Sequence, residues 1–278
     1  MKKVQMLCAI AACVGCLGAC SDEEATDGDD TAVTVAVSFQ TVLGSTEFGC
    51  GDTYQGVGST GTQFTPTDLR MYVHDVTLLG ADGAQSPILL DQDGKWQYEN
   101  VALLDFEDGC GEGAADMNTV VRGAAEGGPW SGIRFGVGVP FDLNHGDAAA
   151  AAAPLDNTAM FWSWNQGYKH IRLDASTTGL PDNGYHIHMG SAGCQGDGMG
   201  NVTECTADNR PQVELTGFDP TAGPVVFDLT ALLAQTDVDV NTERTAPGCF
   251  GDPADPDCTG ILANFGLSGG QQVAFRAP

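Results

Sequence analysis

Met160-Phe161-Trp162-Ser163-Trp164-Asn165-Gln166-Gly167-Tyr168-Lys169-His170-Ile171-Arg172-Leu173-Asp174, and shortly after it Tyr185-His186-Ile187-His188-Met189-Gly190-Ser191, form the stretch on which the reading of this chain turns. In an extended strand, side chains two apart share a face. Trp162 and Trp164 are then expected on one face, and His186 and His188 on another. The chain has 4 Trp and 5 His, so this stretch holds half of one kind and most of the other. Rings at alternate positions suit a half-buried pleated sheet better than a helix. The plainest account is two core tryptophans on one strand with polar histidines near the sheet edge.

The same alternation runs outward in both directions. Thr31 to Phe39 alternates small apolar and polar residues, and Asp68 to Leu79 is a longer strand pattern. In the latter, Met71, Val73 and Asp75 are expected on one face and Arg70, Tyr72, His74 and Val76 on the other. Phe48 to Tyr54 reads as a glycine-rich loop holding Cys50. Pro87 to Leu90, Ile133 to Val139, Pro211 to Phe218, Pro224 to Leu229 and Gln271 to Phe275 supply further short strands. Leu229 to Gln235 and Thr259 to Leu267 have helical character, and Pro140 to Pro154 is a loop with an alanine tract. Many short strands separated by Gly, Pro and Asp turns predict an all-β fold, an antiparallel sandwich or barrel-like domain with short helices.

The first twenty residues stand outside that pattern. Lys2 and Lys3 precede an apolar run from Met6 to Leu17 that is too short to span a bilayer. The segment ends Leu17-Gly18-Ala19-Cys20, which resembles a lipoprotein cleavage box and makes Cys20 the expected lipidated residue. Ser21 to Thr31 is acidic and poor in apolar residues, the composition of a tether. The expected organisation is therefore a leader over 1–20, a tether over 21–31 and one domain over 32–278. Its expected location is the outer membrane, as a lipoprotein facing the periplasm or the cell surface, held by the lipid alone.

With 11 basic against 37 acidic residues, the formal charge is −26. Such a surface repels phosphate backbones and anionic lipid, which excludes nucleic-acid binding and charge-driven membrane docking. Of 10 cysteines, Cys8, Cys13 and Cys16 leave with the leader and Cys20 carries lipid. Cys50, Cys110, Cys194, Cys205, Cys249 and Cys258 remain, an even number that reads as three disulfides in an exported chain. Short loops favour Cys194–Cys205 and Cys249–Cys258, leaving Cys50–Cys110 as the long bridge. None sits in a Cys-x-x-Cys pair, which weakens a structural zinc or redox reading.

No nucleophile elbow, phosphate loop or His-Glu-x-x-His is present. Asp91-x-Asp93-Gly94 and Asp237-x-Asp239-x-Asn241 only superficially evoke calcium loops. The histidines carry more. His74 is mid-strand, His145 lies on Asn144-His145-Gly146-Asp147, and His188 lies in a strand ending at Gly190. Three imidazoles with no free thiolate would suit copper or zinc if the fold brings them together.

At these residues the chain resembles the MbnP-like proteins, also called metallo-mystery-pair four-Cys motif proteins. The resemblance rests on Met71 to Val76, Leu90 to Gln97, Val137 to Asp147, Met160 to Tyr168, His188 to Cys194, Asn209 to Pro211, and Val238 to Asn241 through Ala246 to Cys249. It implies a β-rich exported copper protein with no catalytic activity of its own. It further implies a di-haem partner of the cytochrome c peroxidase type, MbnH, that oxidises one tryptophan to kynurenine. Copper would then be held by histidines together with the kynurenine. On this resemblance His74, His145 and His188 are the expected ligands. Trp96, just past the Asp93-Gly94 turn, is the expected modified residue, with Trp164 second. Six cysteines exceed the four of the family name.

Two rival functions remain open on sequence alone. One is a carbohydrate- or protein-binding sandwich whose tryptophans stack on sugar rings. The other is a mononuclear metal-dependent enzyme in which three histidines leave one position open.

Overall fold

The structure is a computed structural model that describes residues 32–110, 115–199 and 201–278. The expected leader, the tether and Cys20 lie outside these residues. Two sheets face each other across the main core. In the first, Val33–Leu43 is central, flanked by Val225–Asp228 and Val120–Ala125, with Phe275–Arg276 and Leu89–Leu90 at the edges. In the second, the 19-residue strand Thr62–Gly80 is the spine. Along it run Gly167–Thr177, Trp130–Val137 and Val101–Asp105, and Tyr185–Gly190 extends the sheet beyond Gly167–Thr177. The architecture is a sandwich; the sheets do not close into a barrel. One pairing is parallel, Val33–Leu43 with Val225–Asp228, where the expectation was antiparallel throughout.

Alternation explains what fills the sandwich. Val35, Val37 and Phe39 of the first sheet meet Phe135, Ile171 and Leu173 of the second, all buried. Phe39 and Phe135 pack edge-on with ring centroids 5.4 Å apart, a favoured arrangement for aromatic pairs. The face expectation for the spine strand holds for Met71 and Val73, which enter the main core, and for Tyr72, which does not. It fails at Val76, which joins the main core. Asp75 adopts φ 52°, and the pairing with Trp130–Val137 slips between Arg134 and Gly136. Such a bulge resets the two-residue period, so the residues after it change faces.

The outer face of the second sheet carries a smaller core of Tyr72, Val101, Leu103, Val139, Leu155, Met160 and Tyr168. The segment expected to be a plain loop covers it. Phe141–Asn144 forms one helical turn. Tyr72 Oη donates to Pro154 O at 2.9 Å and Tyr168 Oη to Leu155 O at 2.5 Å. The alanine tract is thus part of a lid that hides two tyrosines. The three disulfides pair as the loop lengths favour: Cys50–Cys110, Cys194–Cys205 and Cys249–Cys258.

Beyond the tyrosines the same face turns from apolar to charged. Asp68, Arg70, Asp105, Lys169 and Asp174 are all buried there. Burial pushes the Asp105 carboxyl up to about 7, against the pull of Arg70. An ordinary carboxyl ionises near pH ~4, so folding takes up a proton between about pH 4 and 7 and Asp105 costs stability as pH rises through that window. Asp105→Asn is therefore expected to be more stable than the natural chain at pH 8, by about 2 kcal/mol. The gap should narrow as pH falls and close by about pH 4 in urea denaturation. A gap that persists unchanged at low pH would contradict this account.

A candidate metal centre

Tyr185–Gly190 pairs antiparallel with Gly167–Thr177, setting His186 opposite Asp174 and His188 opposite Arg172. Residues opposite one another, and two apart along a strand, share a face. The local pattern therefore places both imidazoles over one carboxylate. Asp174 Oδ1 accepts from His186 Nδ1 at 2.6 Å and from His188 Nε2 at 2.5 Å. Its other oxygen is held by Arg172, through Nε at 2.8 Å and Nη2 at 2.7 Å. Arg172 Nε also lies 3.1 Å from Asp68, which in turn pairs with Arg70. A ladder of charges thus crosses two strands and ends at the histidine pair.

The electrostatics follow from that ladder. Asp174 is 2% exposed. Burial alone would raise its pKa, but hydrogen bonds from His186 and His188 and the charge of Arg172 outweigh it, holding Asp174 far below the usual carboxylate range. Burial lowers the His188 pKa, and the nearby carboxylate only partly offsets this. The resting state is an anionic carboxylate with a neutral His188. Because the neutral His188 donates its Nε2–H to Asp174, its lone pair falls on Nδ1.

The C-terminal loop closes one side. Cys249 N donates to His186 O and His188 N to Cys249 O, both at 2.9 Å, so the loop runs parallel against the histidine strand. Gly248 permits this approach: at φ 81°, a Cβ there would sit 2.0 Å from His186 O. The Cys249–Cys258 bridge fastens the turn, and Phe250 comes to rest on His188 with ring centroids 5.0 Å apart. Phe250 also stacks on Trp162, with ring centroids 5.8 Å apart. Gly190 makes room for that indole, since a Cβ there would lie 2.8 Å from the ring. Lys169 Nζ sits 5.7 Å from the Trp162 ring centroid and donates to Ala159 O. Burial, aided by Arg172, lowers this ammonium to about 8.

Asp174, His186 and His188 present ligand atoms within 4.8 Å of one another. Two imidazoles and a carboxylate, with no free thiolate, fit a copper or zinc ion. His188 was anticipated from sequence. His186 was passed over, although its position two before His188 was the available signal. Asp174 gave none, because its role depends on strand pairing.

The other expected ligands lie elsewhere. His145 groups with Cys194 and Cys205, and His74 joins no such cluster among the described residues. His74, His145 and His170 each use Nδ1 on a main-chain carbonyl, of Gly138, Trp164 and Asn209 respectively. Their tautomers are therefore fixed in the same way, but they do not converge to a metal-sized constellation. Trp96 packs on the smaller core beside Lys95, whose Nζ is 4.8 Å from its ring centroid. Trp164 falls just past the strand Phe161–Ser163 and is 47% exposed. The paired-face expectation for Trp162 and Trp164 therefore ends at the turn. The two acidic triplets also have local work. Asp93 Oδ1 accepts the N–H groups of Lys95, Trp96 and Gln97, and Asp239 accepts from Thr60 and Gly179.

Comparison with known proteins places these elements in context. The family model described as MbnP matches residues 32–250, a span that contains Trp162, Asp174, His186, His188 and Phe250. The solved structure of MbnP from Methylosinus trichosporium is 33% identical, with a TM-score of 0.78. The alignment covers 87% of this chain and 91% of that one. No curated protein sequence matches.

Proposed function

The chain belongs to the MbnP family, and on that premise we propose that it is an exported, lipid-anchored copper-binding protein without catalytic activity. A di-haem, MbnH-like partner would oxidise one of its tryptophans to kynurenine. The reading rests chiefly on one observation: two imidazoles converge on one buried carboxylate beside an aromatic stack that ends in an indole. His186, His188 and Asp174 would hold the metal. Imidazole nitrogens serve both common oxidation states of copper, and a site without thiolates survives an oxidising compartment.

The same geometry favours Trp162 as the modified residue over Trp96 and Trp164. Trp162 is joined to His188 through Phe250, whereas Trp96 packs against tyrosine and aliphatic side chains. Opening the indole to kynurenine exchanges one carbon for one oxygen overall and yields an aryl amine, a donor that the indole lacks. Lys169, buried over the ring, is placed to hydrogen-bond the new carbonyl oxygen. The anchor at Cys20 belongs to the same proposal, as does the outer-membrane location.

Peptide mapping by mass spectrometry, after co-expression with the di-haem partner, tests the proposal. The Trp162 peptide is expected to carry the mass gain, and copper should copurify with the protein. Trp162→Phe should abolish both, while Trp96→Phe leaves both intact. Modification confined to Trp96 or Trp164 would refute the assignment. The sugar-binding rival loses its basis at Trp162, whose ring stacks on Phe250.

A further inference from the structure

The hairpin formed by Ala192–Gly196 and Val202–Ala207 stands apart from both large sheets as a two-stranded ribbon. Cys194 and Cys205 face each other directly across it. His145, carried by the helical turn after Pro140, reaches this pair: its Nε2 is 3.6 Å from Cys205 Sγ. Its Nδ1 donates to Trp164 O at 3.0 Å. The remaining nitrogen therefore presents a lone pair, which accepts from Asn144 Nδ2 at 3.1 Å. The two sulfurs and a ring nitrogen of His145 lie within 4.8 Å of one another, and all three residues are half-buried. Cys249 and Cys258, by contrast, are fully buried. Cys50 and Cys110 have Glu107 beside them instead of a histidine.

We propose that Cys194, Cys205 and His145 form a second, reductively opened site for a soft monovalent cation, copper(I). The opening step is exchange with a dithiol. One thiolate of the dithiol attacks Cys194 Sγ, and the Cys194–Cys205 bond breaks with its electron pair going to Cys205. The second dithiol sulfur then displaces Cys194, so the dithiol becomes a disulfide and the protein gains two electrons and two protons as thiols. Metal binding releases those two protons to solvent, leaving two thiolates and one imidazole as donors. Thiolates select copper(I) over harder cations. The exposed ribbon gives the reductant access, and the Nδ1 bond to Trp164 O holds the imidazole pointing at the sulfurs.

This site is independent of the Asp174 cluster, and one experiment separates them. The exported chain is treated anaerobically with dithiothreitol, desalted, and split between alkylation mapping and copper(I) titration against a chromophoric chelator. Alkylation is expected first at Cys194 and Cys205. The reduced protein should bind one more equivalent of copper(I) than the oxidised protein, with sulfur scatterers in its X-ray absorption spectrum. His145→Ala should weaken that equivalent by about tenfold or more while leaving the thiol count unchanged. A double variant, His186→Ala with His188→Ala, should lose copper in the oxidised state yet retain the reduction-dependent equivalent. The proposal is overturned if Cys194 and Cys205 stay unlabelled until the chain unfolds. It is equally overturned if reduction adds no copper, if the added copper shows only nitrogen and oxygen neighbours, or if His145→Ala binds it as tightly. The comparison of oxidised and reduced natural protein needs no variant, so a misfolded substitution does not leave the question open.

Discussion

Substituting His186 and His188 together by alanine is expected to leave the oxidised protein unable to retain copper through gel filtration. Both imidazoles point at Asp174 Oδ1 from within hydrogen-bonding distance, and no other described residue completes that cluster. The double change also strips two donors from the buried Asp174 carboxylate, so stability is measured on the same variant by urea denaturation. A loss of copper without a comparable loss of stability identifies ligands. The single variants should each weaken retention by more than tenfold, since removing one donor from a small site costs at least what removing its outer support does. By contrast, His74→Ala should retain copper, because among the described residues it belongs to no metal-sized group. If the double variant keeps its copper and His74→Ala loses it, the site lies around Gly138 and the proposed centre is wrong.

The second large effect is on stability. Asp174→Ala should destabilise the fold by about 3 kcal/mol, the scale expected when one partner of a buried ionic contact is removed. Arg172 would lose both of its short bonds, and the two imidazoles would lose their common acceptor. Urea denaturation should show a lower midpoint with an unchanged slope. The pH dependence adds a sign that simple packing loss would not. Asp174 is held well below the usual carboxylate range in the folded chain. Its contribution is therefore complete above the ordinary carboxylate value, about pH 4, and is lost as pH falls through the depressed folded value. The gap between the natural chain and Asp174→Ala should shrink on acidification and stay constant between about pH 6 and 8. Asp174→Asn keeps the shape without the charge, so it should retain part of the stability but not the copper. A gap that is flat down to about pH 2 would mean that the carboxylate is not the stabilising group.

Asp105 and Asp174 belong to the same charged face, and their pKa values shift in opposite directions for a physical reason. Asp174 has two imidazole donors and a bidentate guanidinium to replace lost water. Asp105 has one Arg70 at longer range, shared with Asp68 and Glu107, so burial dominates. The number of donors aimed at each carboxylate decides the sign.

Much of the fold was legible in the chain because it depends on local alternation. The strand patterns from Asp68 to Leu79 and from Pro211 to Phe218 became strands, and Leu229–Leu233 and Thr259–Asn264 became the short helices expected there. The pairing of the cysteines followed loop length. The reading failed where one backbone angle redirected everything after it, as at Asp75. It also failed where a stretch of low-complexity alanine proved to roof two buried tyrosines.

The sequence by itself determined an all-β fold of sandwich or barrel type, the acidic surface, three disulfides with loop length favouring their pairing, and the family, because period, composition and ordered motifs are properties of neighbours along the chain. It also singled out His188. Only the tertiary structure decided that His188 meets His186 at Asp174, that Trp162 is linked to them through Phe250, and that His145 lies beside the Cys194–Cys205 ribbon. Those groupings arise from strand register and from a loop pinned by Cys249–Cys258, and register is set by how whole faces pack, a quantity that no single stretch of residues carries.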